Sequence, residues 1–137
     1  MKVRVQRMGK ASFLADTRQH VVVTDQPVEN GGGDTGMTAP ELLLASLGSC
    51  VAYYVTQFCD ARGLDTKGLE VSVEGELLHI PGRIGEISVK VQLPVELDQD
   101  RLTALLRTVS HCTIHNTLTT SADIRVHVET PALVVSA

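Results

Sequence analysis

Apolar residues recur at every second position in Leu69-Val71-Val73 and again in Ile87-Val89-Val91, with Glu70-Ser72-Glu74 and Ser88-Lys90-Gln92 on the alternate positions. That period gives a strand one apolar and one wet face. Pro81-Gly82 lies between the two runs and predicts their turn, so the pair reads as a long β-hairpin. Upstream, Lys2 to Met8, Phe13-Leu14-Ala15 and His20 to Asp25 are strand-length runs, the first and last rich in β-branched residues. They predict a small antiparallel meander. Ile124 to Val128, with Val126 and Val128 alternating against Arg125, His127 and Glu129, predicts a closing half-exposed strand.

The helical period is carried by two segments. Leu42 to Cys59 is a run of eighteen uncharged residues, long enough to raise a membrane span. Ser46, Gly48, Ser49, Thr56 and Gln57 inside it, and Asp60 and Arg62 at its end, argue instead for a helix buried in a core or against a partner subunit. Thr38-Ala39-Pro40-Glu41 supplies a capping box with proline in the first turn, which places the helix at about 39–61. Its expected stripe is Leu43, Leu47, Cys50, Tyr54 and Phe58. Asp98 caps a second helix with apolar positions Leu102, Leu105, Leu106 and Val109, which either continues or restarts over His111 to Leu118. Strands flanking two main helices give an α+β fold in a single domain, 1–137.

The turn-rich stretch Glu29 to Gly36 joins the meander to the long helix. It has neither the Gly-Lys-Ser/Thr ending of a P-loop nor a Gly-x-Gly-x-x-Gly pattern, so it predicts a shaping loop rather than a phosphate cradle. A composition of 43% hydrophobic and 20% charged residues in 137 excludes a disordered chain. A net charge of −4 with only four aromatics excludes the basic, stacking surface of a nucleic-acid binder. Charges at the start are not followed by an apolar core, and the cysteines are three, an odd number. Both point to a reducing, cytoplasmic setting without membrane attachment.

The cysteines are the candidate chemistry. Cys50 and Cys59 are nine residues apart on one helix, hence on opposite faces with a rise of about 13 Å, and cannot pair while it stands. A redox pair therefore needs Cys112 with one of them. Gly48 and Ser49 leave room for a ligand beside Cys50, whereas Cys59 beside Phe58 reads as a structural thiol. A helix starting near Cys112 would favour its thiolate through the dipole and free N–H groups. His111, Cys112 and His115 offer three ligands and no fourth, short of a closed zinc site. Glu41 is a cap partner that could also orient an arginine over a thiol, and Arg4, Arg7 and Arg18 precede the helix.

Asp25-Gln26-Pro27, Gly32-Gly33-Asp34-Thr35-Gly36, Pro40 to Cys50 and His111 to Leu118 together make the chain resemble the OsmC/Ohr family (osmotically inducible protein C and organic hydroperoxide resistance), in an OsmC-like branch. The resemblance implies an intertwined homodimer, with antiparallel sheets from both subunits wrapped around the central helices. It implies a thiol-dependent peroxidase acting on organic hydroperoxides without a cofactor. Cys50 then matches the peroxidatic cysteine and Cys112 the resolving one, reset by a dithiol such as a lipoyl group. The family activates its thiol with an arginine held by a glutamate. The glutamate of the peroxidase branches stands ten residues before the cysteine, where this chain has Pro40, and Glu41 stands nine before. Arg7 or Arg18 is the nearest match to the arginine. The alternative is a protein of the same fold that binds a small ligand or senses redox state without turnover.

Overall fold

A computed structural model describes residues 1–131 and the backbone of 134–136. Three short strands open the chain: β1 (Arg4–Arg7), β2 (Phe13–Thr17) and β3 (His20–Thr24), paired antiparallel in that order. Arg4 faces Asp16 across β1 and β2, and the guanidinium Nε donates to the carboxylate at 3.0 Å. Thr17 pairs with His20, leaving Arg18 at the tip of a two-residue turn with φ of 53°.

The loop that follows is organised by one carboxylate. Asp25 is 3% exposed and accepts from the amides of Gln26, Gly33 and Thr35 at 2.8, 3.0 and 3.2 Å, and from the Thr35 hydroxyl at 2.7 Å. Both oxygens of the buried group are hydrogen-bonded, Oδ1 once and Oδ2 three times, which is the condition for burying it at all. Gly36 lies against the carbonyl of Val23, where a Cβ would collide with backbone, so only glycine fits there. The loop thus returns Met37 to a bridge with Thr24 and delivers Thr38 to the start of the long helix.

That helix, α1, spans Ala39–Asp60. Thr38 and Glu41 form the expected capping box: the Glu41 amide donates to the Thr38 hydroxyl at 3.4 Å, and the Glu41 carboxylate accepts from the Thr38 amide at 2.7 Å. Strands β4 (Glu70–His79) and β5 (Gly82–Gln92) form the predicted hairpin, closed over Ile80 and a cis Pro81, with a register shift between Glu76 and Leu77. Helix α2 (Gln99–Val109) starts at Asp98, whose carboxylate accepts from the Arg101 amide at 2.8 Å. The chain then restarts as α3 (Thr113–Thr119) and ends in β6 (His127–Glu129) paired with β7 (Val134–Ser136).

The core is α1 against the hairpin, α2 and α3. Leu47, Val51, Val55, Phe58 and Cys59 of α1 bury together with Leu105 of α2 and Cys112, and Val71, Val73, Ile87 and Ile114 pack around them. Gly48 lets the helix approach the sheet closely, since a Cβ there would stand 3.1 Å from Val73 Cγ2. The apolar composition of α1 is therefore that of a core helix, but not on all sides: Leu43 and Tyr53 are exposed.

Three expectations need correction. The buried stripe of α1 is rotated from the one predicted, leaving Cys50 and Tyr54 half-buried at its edge. Of the apolar face of α2 only Leu105 is fully buried, while Leu102 and Leu106 are exposed among the described residues. The closing strand spans His127–Glu129 rather than Ile124 to Val128, in register with β7. The meander, likewise, pairs within itself and packs far less on α1 than the hairpin does, with Val5, Val21 and Val22 exposed.

Candidate functional site

Helix α1 presents Cys50 toward the break between α2 and α3. The break arises at Ser110, after which the Cys112 amide turns back to the Val109 carbonyl at 2.9 Å and Cys112 adopts φ −57° and ψ 118°, outside the helical region. Cys112 thereby becomes the N-cap of α3. The first amides of any helix lack internal partners. Here the sulfurs meet them: Cys112 Sγ accepts from the His115 amide at 3.4 Å, the Ile114 amide acts on both sulfurs, and the Thr113 amide acts on Cys50.

The two thiols also hydrogen-bond each other, and their acidities part in opposite directions. For Cys50, burial opposes ionisation, but the hydrogen bond from the Cys112 thiol and those from the Ile114 and Thr113 amides outweigh it and bring its pKa below the ordinary thiol value. For Cys112, burial and then the hydrogen bond to Cys50 push the thiol up. The pair therefore ionises at Cys50 and keeps its proton on Cys112, a coupled titration shared by both sulfurs. The α3 amides of His115 and Ile114 do favour the Cys112 thiolate, as expected, but burial and the hydrogen bond to Cys50 outweigh them.

Cys59 is fully buried in the core, and burial, then the neighbouring Asp60 charge, raises its pKa. It has the environment of an inert structural thiol. Glu41 lines an open groove of about 460 Å³ that runs past Gly48 and Ser49, but one of its oxygens serves the cap. Hydrogen bonds from the Thr38 amide and hydroxyl hold its pKa low. Arg7 ends β1 and Arg18 tips the β2–β3 turn, and among the described residues no ion pair or hydrogen bond ties either side chain to Glu41. The structure thus brings Cys50 and Cys112 together and leaves Glu41, Arg7 and Arg18 apart within one subunit. Among the described residues no three His, Cys, Asp or Glu side chains converge on a metal position, His111 and His115 included.

The contributors that sequence reasoning missed are backbone groups. Thr113 and Ile114 act through N–H and carry no side-chain signal; the only clue is the restart of a helical pattern directly after a cysteine. Asp25 was visible in the sequence only as part of a motif, and its role as the anchor of the glycine-rich loop appears with the geometry.

Residues 31–127 match the family model described as OsmC-like protein. Among solved structures, an osmotic stress induced and detoxification response protein from Psychrobacter arcticus is similar at TM-score 0.78 and 23% identity, covering 85% of this chain and 87% of that one. An OsmC-like protein from Mycoplasma pneumoniae is similar at 0.73 and 20%, covering 88% and 87%. An organic hydroperoxide resistance protein from Legionella pneumophila is similar at 0.62 and 16%, covering 90% and 93%. At these identities the structures establish the fold. Comparison with curated proteins gave no match.

Proposed function

The chain belongs to the OsmC-like protein family, and from that premise we propose that it is a thiol-dependent peroxidase that reduces organic hydroperoxides with Cys50 and Cys112. One observation carries the reading: Cys50 sits on two α3 amides and on the Cys112 thiol, an arrangement that keeps a nucleophilic thiolate beside a protonated partner. The name of the Legionella relative and the family supply the peroxide-resistance context.

The steps balance as follows. The Cys50 thiolate attacks the terminal oxygen of the hydroperoxide; an S–O bond forms, the O–O bond breaks and an alkoxide leaves. The alkoxide takes the Cys112 proton and departs as an alcohol. That transfer leaves Cys112 as the thiolate needed for the next step, in which it attacks the Cys50 sulfenic acid, expels hydroxide and closes a disulfide. An external dithiol, such as a lipoyl group, returns both thiols. The α3 amides replace part of the positive charge that an arginine would give the departing oxygen and the thiolate.

The working unit in this proposal is a cytoplasmic homodimer. Exposed Val5, Phe13, Val21 and Val22 on the meander and Leu43 and Tyr53 on α1 are surface a second copy would cover. In such a dimer the meander of one subunit is the element able to bring Arg7 or Arg18 toward the other subunit's Glu41 and Cys50. A second reading, ligand binding or redox sensing without turnover, is favoured by one observation: no cation contributes to the low pKa of Cys50. Turnover of tert-butyl hydroperoxide with a dithiol decides between them. The peroxidase reading expects turnover lost in Cys50→Ser and one reduction per subunit in Cys112→Ser; turnover no faster than free thiol in the wild type refutes it.

A further inference from the structure

The Cys112 thiol donates to the Cys50 sulfur, so one proton lies between two sulfurs carried by different helices. Such a proton marks a place that a soft cation with two thiolate ligands can take. No third ligand is at hand. Cys59 is fully buried on the opposite face of α1, nine residues from Cys50. His115 Nδ1 lies 3.3 Å from Asn116 Oδ1, and the Glu41 carboxylate is engaged in the cap of α1. Among the described residues no third His, Cys, Asp or Glu joins the two sulfurs as a metal cluster.

Two sulfurs and no more decide the class of ion. Zinc(II) in a closed site takes four ligands, and calcium and magnesium take oxygen. Copper(I) is soft, favours thiolate and is satisfied by two ligands. Charge gives the same answer. Two thiolates carry two negative charges, and a monovalent ion leaves one. The amides of Thr113, Ile114 and His115, which already meet the sulfurs, supply hydrogen bonds to that remaining charge, the outer shell that such a site needs. Cys50 is half-buried and Cys112 fully buried, so the ion enters by way of Cys50 and external thiols are kept from Cys112.

We propose that Cys50 and Cys112 form a two-coordinate site for a soft monovalent cation, copper(I), one per subunit. On binding, the Cys112 S–H bond breaks, its proton passes to solvent, two S–Cu bonds form and no electron is transferred. The site goes beyond the peroxidase reading and does not depend on it, since coordination needs only the reduced pair. Where both hold, the ion occupies the sulfur that a hydroperoxide must meet, and the metal-loaded protein is inactive.

The test is anaerobic titration of copper(I) into the reduced protein against bicinchoninate as competing chelator. Wild type and Cys59→Ala are expected to take one equivalent per subunit with the same affinity. Cys50→Ser and Cys112→Ser each keep a hydroxyl that can accept the α3 amides. Both are expected to lose more affinity than the roughly 10–100-fold that removing an outer-shell partner costs. X-ray absorption at the copper edge of the wild-type complex reads the ligand set without any variant, and two sulfurs with no nitrogen or oxygen are expected. Wild type that fails to compete with the chelator overturns the proposal, as does unchanged affinity in either serine variant. Half an equivalent per subunit, which is a copper shared between subunits, or a third protein ligand in the spectrum overturns it as well. No turnover enters the titration, so its outcome is separate from that of the peroxidase assay.

Discussion

Replacing Thr113 by proline removes one hydrogen bond to the Cys50 thiolate while sparing the helix that provides it. Thr113 is the first residue of α3, where an N–H has no helical acceptor and proline is favoured. The residue before a proline must be extended, and Cys112 already has ψ of 118°. The Thr113 side chain is exposed, so the ring projects to solvent while its Cδ takes the place of the lost hydrogen. A hydrogen bond to an ionised group is worth about 1.5–3 kcal/mol, and at a half-buried sulfur we take the lower end. That equals about one pKa unit and a tenfold smaller thiolate fraction near neutral pH. Alkylation of Cys50 by iodoacetamide, followed by peptide mass spectrometry across a pH series, reads this directly. Thr113→Pro should slow the reaction about tenfold at pH ~7 and rejoin wild type once both thiols are ionised. Thr113→Ala keeps the N–H and should match wild type throughout. An unchanged profile in Thr113→Pro would refute amide stabilisation of the thiolate.

Asp25→Asn should destabilise the protein at neutral pH. Its hydrogen bond from the Thr35 hydroxyl, set against burial, and those from the Gln26, Thr35 and Gly33 amides leave the folded pKa below the ordinary carboxylate value. The stabilisation is therefore complete above the unfolded pKa and is lost as pH falls through the folded one. Denaturation of wild type and variant at descending pH should show the gap close in acid, and a gap that widens would contradict the assignment. Phe58→Ala should cost about 3–5 kcal/mol in urea unfolding, the usual range for emptying a buried aromatic site. Phe58 is 2% exposed, with Arg62 stacked 3.8 Å from its ring centroid. A loss below about 1 kcal/mol would mean that the core collapses to fill the space.

The sequence is informative where local chemistry decides structure. Thr38 and Glu41 mark the start of α1 because the capping box is a four-residue device, and the alternation of Val71 and Val73 against Ser72 and Glu74 marks the hairpin because the pleat imposes a period of two. The pairing of Cys112 with Cys50 rather than Cys59 was narrowed by helix geometry and by family likeness, and the packing of α1 on α3 supplies the rest. What sequence period could not supply was the rotation of α1. Its apolar residues encircle the helix, so the buried side is chosen by where Gly48 lets Val73 approach. The direction of the pKa split was hidden for a similar reason. It depends on how deeply each sulfur is buried and on the hydrogen bond between them, a relation between elements that no spacing within either one contains.

The central claim is that Cys50 and Cys112 act as one redox pair. Reduced protein treated with one equivalent of tert-butyl hydroperoxide, quenched with an alkylating agent and mapped without reduction, tests it most directly. The account predicts a single disulfide joining Cys50 to Cys112, with Cys59 recovered as the alkylated thiol after denaturation. Both Cys50 and Cys112 recovered as free thiols, or a bridge between subunits through Cys59, would contradict it.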